Sequence, residues 1–562
     1  MHRASSLLLF ALSLALEPAA AWAAGAPPLP ALPAGAEAAA RLIDRPTLEA
    51  PIRFLADDLL EGRGPATRGD ELTRLYLAES LQLLGLEPGA ADGSWQQRVP
   101  VVSVAAQAPE KWHFDAAGKG VDLAWSQDYI AGSGVQAAES GFANAEVVFV
   151  GYGIQAPEYG WDDFKGQDLS GKVLLMLNND PDWDANLFEG GRRLYYGRWT
   201  YKYESAARQH AAAAIILHTT PSAGYPWQVV QSSWTGPQFE LPAAGEPRVQ
   251  VKAWATEESV RRLLSAAGKN LDSLLTAARS KDFHPVPLGL RTSLQLTNEV
   301  RQQETGNVLG LLRGSDPKLS REVVVLSAHH DHFGKAPGPE GKDTIFNGAV
   351  DNASGVAMVM AMAKAAAALP TRPKRSLLFA FVAAEEQGLL GSKYLAANPP
   401  IPPGRMAANI NLDSANIWGA TRDVTSIGLG KNSLDDLARA FATAQGRVLL
   451  GDQFPDKGHF YRSDQLNFAR IGVPALYLKG GTDFVDHPGD WGKQQVEGWT
   501  EVHYHQPSDQ YSPSWNFDGM IQDTRLAFFV ALAAAEADTP PTWKPGDEFE
   551  ATRKAALAAA GP

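Results

Sequence analysis

Two apolar runs in the second half of the chain each stop on a residue that can bind a metal, and this constrains the fold more than any other feature. Glu322–Ala328 is a β-branched run ending at His329, and Ser376–Ala384 is an apolar run ending at Glu385. Both read as buried strands. Between them, Asp351-Asn352-Ala353-Ser354-Gly355 opens an Ala/Met/Val stretch reaching about Ala368, which reads as a helix that Pro370 stops. Strand, helix, strand in this order implies a right-handed parallel crossover. Open α/β sheets bind ligands at the carboxyl ends of their strands, where His329 and Glu385 fall.

Five short segments supply polar groups in a workable order: Ala328-His329-His330-Asp331-His332, Ala349 to Gly355, Ala384-Glu385-Glu386-Gln387-Gly388, Asn411-Leu412-Asp413-Ser414, and Tyr504-His505-Gln506-Pro507-Ser508-Asp509. Each alone is weak evidence, since a His-x-Asp pair or two adjacent glutamates commonly sits on a solvated surface. Glu385-Glu386, however, follows a strand too apolar to be exposed. Two carboxylates there are costly unless something cationic neutralises them. Two histidines and three carboxylates are enough to hold two zinc ions, with one carboxylate shared and Glu385 left to handle protons. That set points to peptide hydrolysis.

These segments resemble the two-zinc exopeptidases, metallopeptidase family twenty-eight of clan MH, a family that includes secreted bacterial aminopeptidases, glutamate carboxypeptidases and the transferrin receptor ectodomain. The resemblance covers roughly Asn307 to Ala535 and is weaker in the amino-terminal half. It implies an α/β fold with a mixed, largely parallel sheet flanked by helices, and two Zn2+ per chain. By the same resemblance His329 and Asp413 bind one zinc, Glu386 and His505 the other, and Asp351 bridges them. Glu385 is then the general base and Asp331 the carboxylate that orients His329. Tyr504 is a candidate oxyanion donor, with a packing role as the alternative. In some relatives the bond after the bridging aspartate is cis, so Asp351-Asn352 is a candidate cis peptide.

His330, His332 and His503 are not needed by the metal count and read as supporting or structural. Asp509 is expected either to orient His505 or to cap its turn. Phe460-Tyr461-Arg462-Ser463-Asp464-Gln465 looks like the family's Ser-Asp-His stretch, but Gln465 stands where many relatives carry histidine. Arg462 and Asp464 are read either as substrate contacts or as a polar helix start.

At 562 residues, with 45% apolar content and 15 tryptophans, the chain is long enough for at least two modules. The division read from the sequence is a signal peptide at 1–23, a linker at 24–45, and a first part of the peptidase domain at 46–132. A β-rich insert at 133–282 resembles the protease-associated domain, the main peptidase part follows at 283–538, and a tail at 539–562 is expected to wrap the surface or fray. Arg192 to Trp199 interleaves aromatic and basic residues and reads as domain packing, with a lid over the cleft as the alternative. Arg63 reads as a solvated or capping arginine, with a reach into the active site as the alternative. No internal repeat is visible.

A net charge of −13 argues against a nucleic-acid partner and leaves no basic stripe for anionic membranes. A peptide is the expected substrate. Arg3, the apolar run Leu7–Leu16 and Ala21-Trp22-Ala23 form an export signal with cleavage after Ala23. The run is too short to span a bilayer, and with no cysteine the chain can carry neither a lipoprotein anchor nor disulfides. The expectation is a periplasmic or secreted zinc aminopeptidase. A carboxypeptidase or dipeptidase of the same family remains open, because the one candidate for a carboxylate pocket, Arg462, has no second cation in the matching segments. A one-zinc glutaminyl cyclase and a non-catalytic receptor-type module are disfavoured by the complete ligand set.

Overall fold

The computed structural model describes residues 29–561, so the export signal at 1–23 lies outside the described residues. At its centre Val323–His329 and Ser376–Val382 are completely buried strands. They pair in parallel from Val323 opposite Ser376 to His329 opposite Val382. Met406–Asn411 pairs in parallel with Val323–His329 on its other side. The helix between the first two strands runs Gly355–Ala367, and its Val356, Val359 and Met362 join Val324, Leu326, Phe379 and Phe381 in one core. Three neighbouring parallel strands therefore release His329, Glu385 and Asp413 at one edge of the sheet, the edge where open α/β sheets place their ligands.

The sheet continues through Ala475–Gly480, parallel to Met406–Asn411, to Asp423–Ile427, which runs antiparallel. On the opposite flank Val286–Leu312 lies antiparallel to Ser376–Val382 and to Gln96–Gln107. The sheet is thus mixed but largely parallel at its centre, as expected.

Val286–Leu312 is a single strand of 27 residues whose burial alternates up to about Thr297 and becomes continuous from Thr305. Its first part pairs with Glu139–Phe149, and through it the sheet extends to parallel strands Val173–Leu177, Ala213–His218 and Val251–Thr256. Tyr129–Ser133, placed before the insert by the sequence, pairs with Val251–Thr256. This part of the sheet therefore begins a few residues before 133 and uses a strand that starts after 282. Alternating burial marks a half-exposed strand but not its partner, so the pattern alone does not say which strands this one joins. The region also contains helices at Trp199–Arg208, Glu257–Ala266 and Leu271–Ala278.

The tail does not fray. Trp543 is buried with its indole N–H donating to Gly472 O at 2.9 Å. The helix Glu550–Ala560 inserts Arg553 to donate to Pro403 O and Met406 O.

Arg63 is not a surface residue either. It is fully buried, and its guanidinium donates to the carbonyls of His330, Leu55, Asn347 and Gly348. A planar five-donor group is suited to such a junction, and here it joins the amino-terminal helices to the backbone on either side of the site. Arg63→Ala should lower the unfolding free energy by about 3 kcal/mol or more, because each buried carbonyl left without a donor costs roughly 1–3 kcal/mol. Urea unfolding monitored by tryptophan fluorescence measures this, and a loss below about 1 kcal/mol would show that the junction is not structural.

Candidate metal centre

Asp351 reaches the sheet edge from an irregular turn, Ala349–Ser354, that precedes the Gly355–Ala367 helix, and the Asp351–Asn352 peptide is cis, as in some members of the family it resembles. The turn is pinned on both sides. Asn352 donates to Leu412 O and accepts from the backbone of Gly355 and Ser414. Asp509 accepts from Val350 N at 2.9 Å and Asp351 N at 3.0 Å. Asp509 therefore neither orients His505 nor caps its turn; it fixes the backbone of Asp351.

The two oxygens of Asp351 face different imidazoles. His329 Nε2 stands 3.2 Å from Asp351 Oδ1 and 3.7 Å from Asp413 Oδ1. His505 Nε2 stands 3.5 Å from Asp351 Oδ2 and 3.1 Å from Glu386 Oε2. Both nitrogens are buried without an aligned hydrogen bond. His329, Asp351 and Asp413 offer ligand atoms all within 4.8 Å of one another. Imidazole nitrogen and carboxylate oxygen, with no sulfur, is a donor set that suits zinc. The arrangement of unpartnered Nε2 atoms against crowded carboxylates around Asp351 fits zinc.

The electrostatics report the same crowding. Burial pushes Glu385 well above the usual carboxylate range, and Glu386 and Asp413 beside it add to the shift. Against the cost of burial, the adjoining His329 and His505 hold Asp351 well below that range. Burial also opposes protonation of His329, but the charge of Glu385 and the carboxylates of Asp331, Asp351 and Asp413 raise it well above the ordinary histidine value.

Asp331 has a wider part than the sequence implied. Its Oδ1 is 3.7 Å from His329 Nδ1, and its carboxylate accepts from the backbone N–H of Glu385 at 3.0 Å and of Glu386 at 3.4 Å. The side chain thus anchors the backbone of both glutamates, while the hydrogen-bond partner of His329 Nδ1, at 3.3 Å, is the Asp331 backbone oxygen. His332 also comes closer than its reading as a supporting residue required. Its Nδ1 bonds Glu386 Oε1 at 2.5 Å, and it forms a second compact donor group with Asp351 and Glu386. His505 Nε2 faces both Glu386 and Asp351, whereas His332 gives Nδ1 to Glu386 and keeps a buried, unpartnered Nε2. His330 pairs with the buried Asp70 at 3.1 Å, and His503 bonds the Ser508 loop away from the centre.

Tyr504 lies flat on His505, ring centroids 3.7 Å apart, and its hydroxyl accepts from Arg462 Nη2 at 3.1 Å. Asp464 and Gln465 turn inward. Asp464 accepts from Ser392, and burial first of all pushes its carboxyl up to about 7. Gln465 accepts from Asn411 and donates to Phe460 O, bracing the strand that carries Asp413.

A cavity of about 1030 Å³ opens above these residues, with Asp351, Glu385, Glu386, Asp413 and His505 on one side. Arg198, Trp199, Tyr225, Ser233 and Phe239 line the other, all from the region read as an insert. The Arg192–Trp199 stretch does both things its composition allowed: Arg193 is buried, while Arg198 and Trp199 face the cavity. Sequence reasoning missed Arg198 and Ser233 as parts of the site. The interleaved aromatic and basic residues were a signal for the first, and nothing in the sequence marked the second.

Residues 307–529 match Peptidase family M28. A probable zinc metalloprotease of Pyrenophora tritici-repentis is 41% identical over 214 residues, which are 36% of this chain and 47% of the relative. Leupeptin-inactivating enzyme 1 of Streptomyces exfoliatus is 27% identical over 258 residues, covering 44% of this chain and 51% of the relative. The chain thus spans about half the length of these curated relatives. Among solved structures, the aminopeptidase from Aneurinibacillus sp. strain AM-1 superposes with a TM-score of 0.51 at 19% identity, over 90% of this chain and 96% of that one, which is a likeness of fold. His329, Asp331, Asp351, Glu385, Glu386, Asp413, Tyr504 and His505 all fall inside the segment, residues 307–529, that matches Peptidase family M28.

Proposed function

We propose that the chain is an exported aminopeptidase that holds two zinc ions, His329 and Asp413 binding one, Glu386 and His505 the other, and Asp351 both. The observation that carries this reading is the division of Asp351, whose two oxygens face two different unpartnered imidazole nitrogens. Bound there, zinc supplies a Lewis acid for the scissile carbonyl and acidifies the attacking water. Glu385, held by Asp331 through its backbone, accepts the water's proton and returns it to the departing amine. Tyr504 takes Arg462's hydrogen bond on its oxygen, so its own proton is free to donate to the developing oxyanion. The acidic floor of the cavity favours a free amino group, and the names of the relatives support a peptide substrate. Among the described residues no helix is long and apolar enough to cross a membrane. The export reading rests on the leader alone, and sequencing of the mature periplasmic protein should begin at Ala24.

One observation favours the carboxypeptidase or dipeptidase alternative. Arg198 and Arg462 line the same cavity, and after burial the nearby charge of Arg462 is the next cause that lowers the Arg198 guanidinium below its ordinary value. Arg198 Nε has no hydrogen-bond partner. Two half-buried guanidiniums facing one cavity are costly, and a substrate carboxylate would relieve them.

Purified protein should contain close to two zinc ions, lose activity to a chelator and regain it with zinc. A fully active chain with one ion defeats the bridging role of Asp351. Glu385→Gln should lower kcat by about a hundredfold or more while metal content stays near that of the wild type; loss of zinc along with activity would mean that the roles of Glu385 and Glu386 are exchanged. Acetylating the amino group of a good peptide substrate should abolish cleavage, while amidating its carboxylate leaves the rate within a few fold. The reverse pattern moves the chain to the carboxypeptidase reading, and a block by either modification to a dipeptidase; in both cases Arg198→Met should then cost at least tenfold in KM.

A further inference from the structure

The strongest unexplained contact at the centre comes from outside the peptidase domain. Ser233 Oγ lies 2.9 Å from His505 Nδ1, across 272 positions of sequence. The other imidazole of the pair, His329, has its Nδ1 served from within its own segment, 3.3 Å from Asp331 O. We propose that Ser233 is a positioning residue for His505, so that the segment roofing the cavity and the metal centre beneath it order one another. This inference rests on the zinc-site reading above.

The geometry leaves His505 few other supports. Its backbone is in the left-handed region, φ 56°, which is uncommon for a side-chain-bearing residue and has to be held by its surroundings. Its ring is flanked by Tyr504 at 3.7 Å and Phe333 at 4.6 Å, both of which fix the plane but leave rotation within it free. A hydrogen bond at Nδ1 removes that freedom. It also sets the tautomer: for Nε2 to offer its lone pair toward Glu386 and Asp351, the ring proton must sit on Nδ1, and the acceptor there is Ser233 Oγ.

Ser233 is part of a wider clasp. It ends the short helix Trp227–Ser233, which is tied to its own region where Trp227 and Gln231 both donate to Ser126 O at 2.8 Å. On the other side, Gln506 donates to Ser232 Oγ at 3.3 Å, and Phe239 N donates to Gln387 Oε1 at 3.0 Å. The clasp thus grips the residue after Glu386 and the residue after His505, the two ligands of one proposed zinc, and among the described residues no equivalent hydrogen bond from this segment reaches His329 or Asp413. Because the coupling is an equilibrium one it acts both ways: docking of the segment raises affinity for the metal, and the metal stabilises docking.

The test uses the full chain as wild type, Ser233→Thr and Ser233→Val, the last two differing in shape by little more than the hydroxyl. Zinc affinity is measured by chelator competition, and exposure of residues 224–248 by limited proteolysis with and without zinc. In the wild type, zinc should slow cleavage within 224–248. Ser233→Val should bind one of its two zinc ions about tenfold more weakly and lose that protection, with kcat lowered more than KM is changed, and Ser233→Thr should restore all three properties. Equal zinc affinity and protection in Ser233→Val and wild type would overturn the proposal, as would a Ser233→Thr as defective as the valine variant, or a wild type whose cleavage zinc does not alter. These results are separate from failure of the zinc-site reading itself, which would appear as a wild type that binds no zinc.

Discussion

Like charge gathered at one edge of a buried sheet is the constraint on which the rest of this structure depends. Asp331, Asp351, Glu385, Glu386 and Asp413 meet where water is scarce, and carboxylates so placed repel one another and lose hydration. The surrounding architecture answers that cost. Asp331 turns its charge onto the backbone N–H groups of Glu385 and Glu386, and Asp509 turns its own onto those of Val350 and Asp351. Arg63 is near enough to lend positive potential to Asp331, Asp509 and Asp351 while its hydrogen bonds go to backbone carbonyls. What these contacts leave uncompensated is the cluster around Asp351, His329 and His505, where a cation fits.

The same arrangement explains why so many distant segments converge. A strand end aims one side chain, but the two oxygens of Asp351 face imidazoles from separate segments. The parallel strands supply His329, the Glu385-Glu386 pair and Asp413 in a row, and the irregular turn at Ala349–Ser354 lifts Asp351 over them. His505 comes from a loop with no strand to aim it, and it is the ligand candidate whose orientation involves another region of the chain. The roof of the cavity is accordingly more than a cover: it brings Arg198 opposite the acidic floor and sets its hydroxyl against the least constrained imidazole.

Much of the peptidase half was legible because burial leaves a local imprint. Runs such as Val323-Val324-Val325-Leu326 and Leu377-Leu378-Phe379-Ala380-Phe381 have to be interior strands, and polar residues directly after them have to sit at a sheet edge. The candidate ligands followed from those positions, together with the resemblance that ordered them. The errors fell where a residue's fate depends on partners far away in sequence. Arg63 looks like a surface arginine until four carbonyls from three segments are assembled around it. Whether the tail wraps the surface or frays is decided only once the grooves that receive Trp543 and Arg553 exist. The strand Val286–Leu312 pairs with both Gln96–Gln107 and Glu139–Phe149, and its alternation does not tell the two partners apart.

The sequence by itself therefore determined the central parallel strands, the edge at which the chemistry gathers and the residues able to perform it, since periodicity and the cost of buried charge are properties of short segments. The tertiary structure alone decided which oxygen of Asp351 faces which imidazole, that Asp509 serves the backbone of Asp351, that His332 turns to Glu386, and that Arg198 and Ser233 belong to the site at all. Those are matters of distance between segments up to some hundreds of residues apart. Hydrogen bonds and ion pairs are fixed within a few tenths of an ångström, a precision that no pattern along the chain encodes.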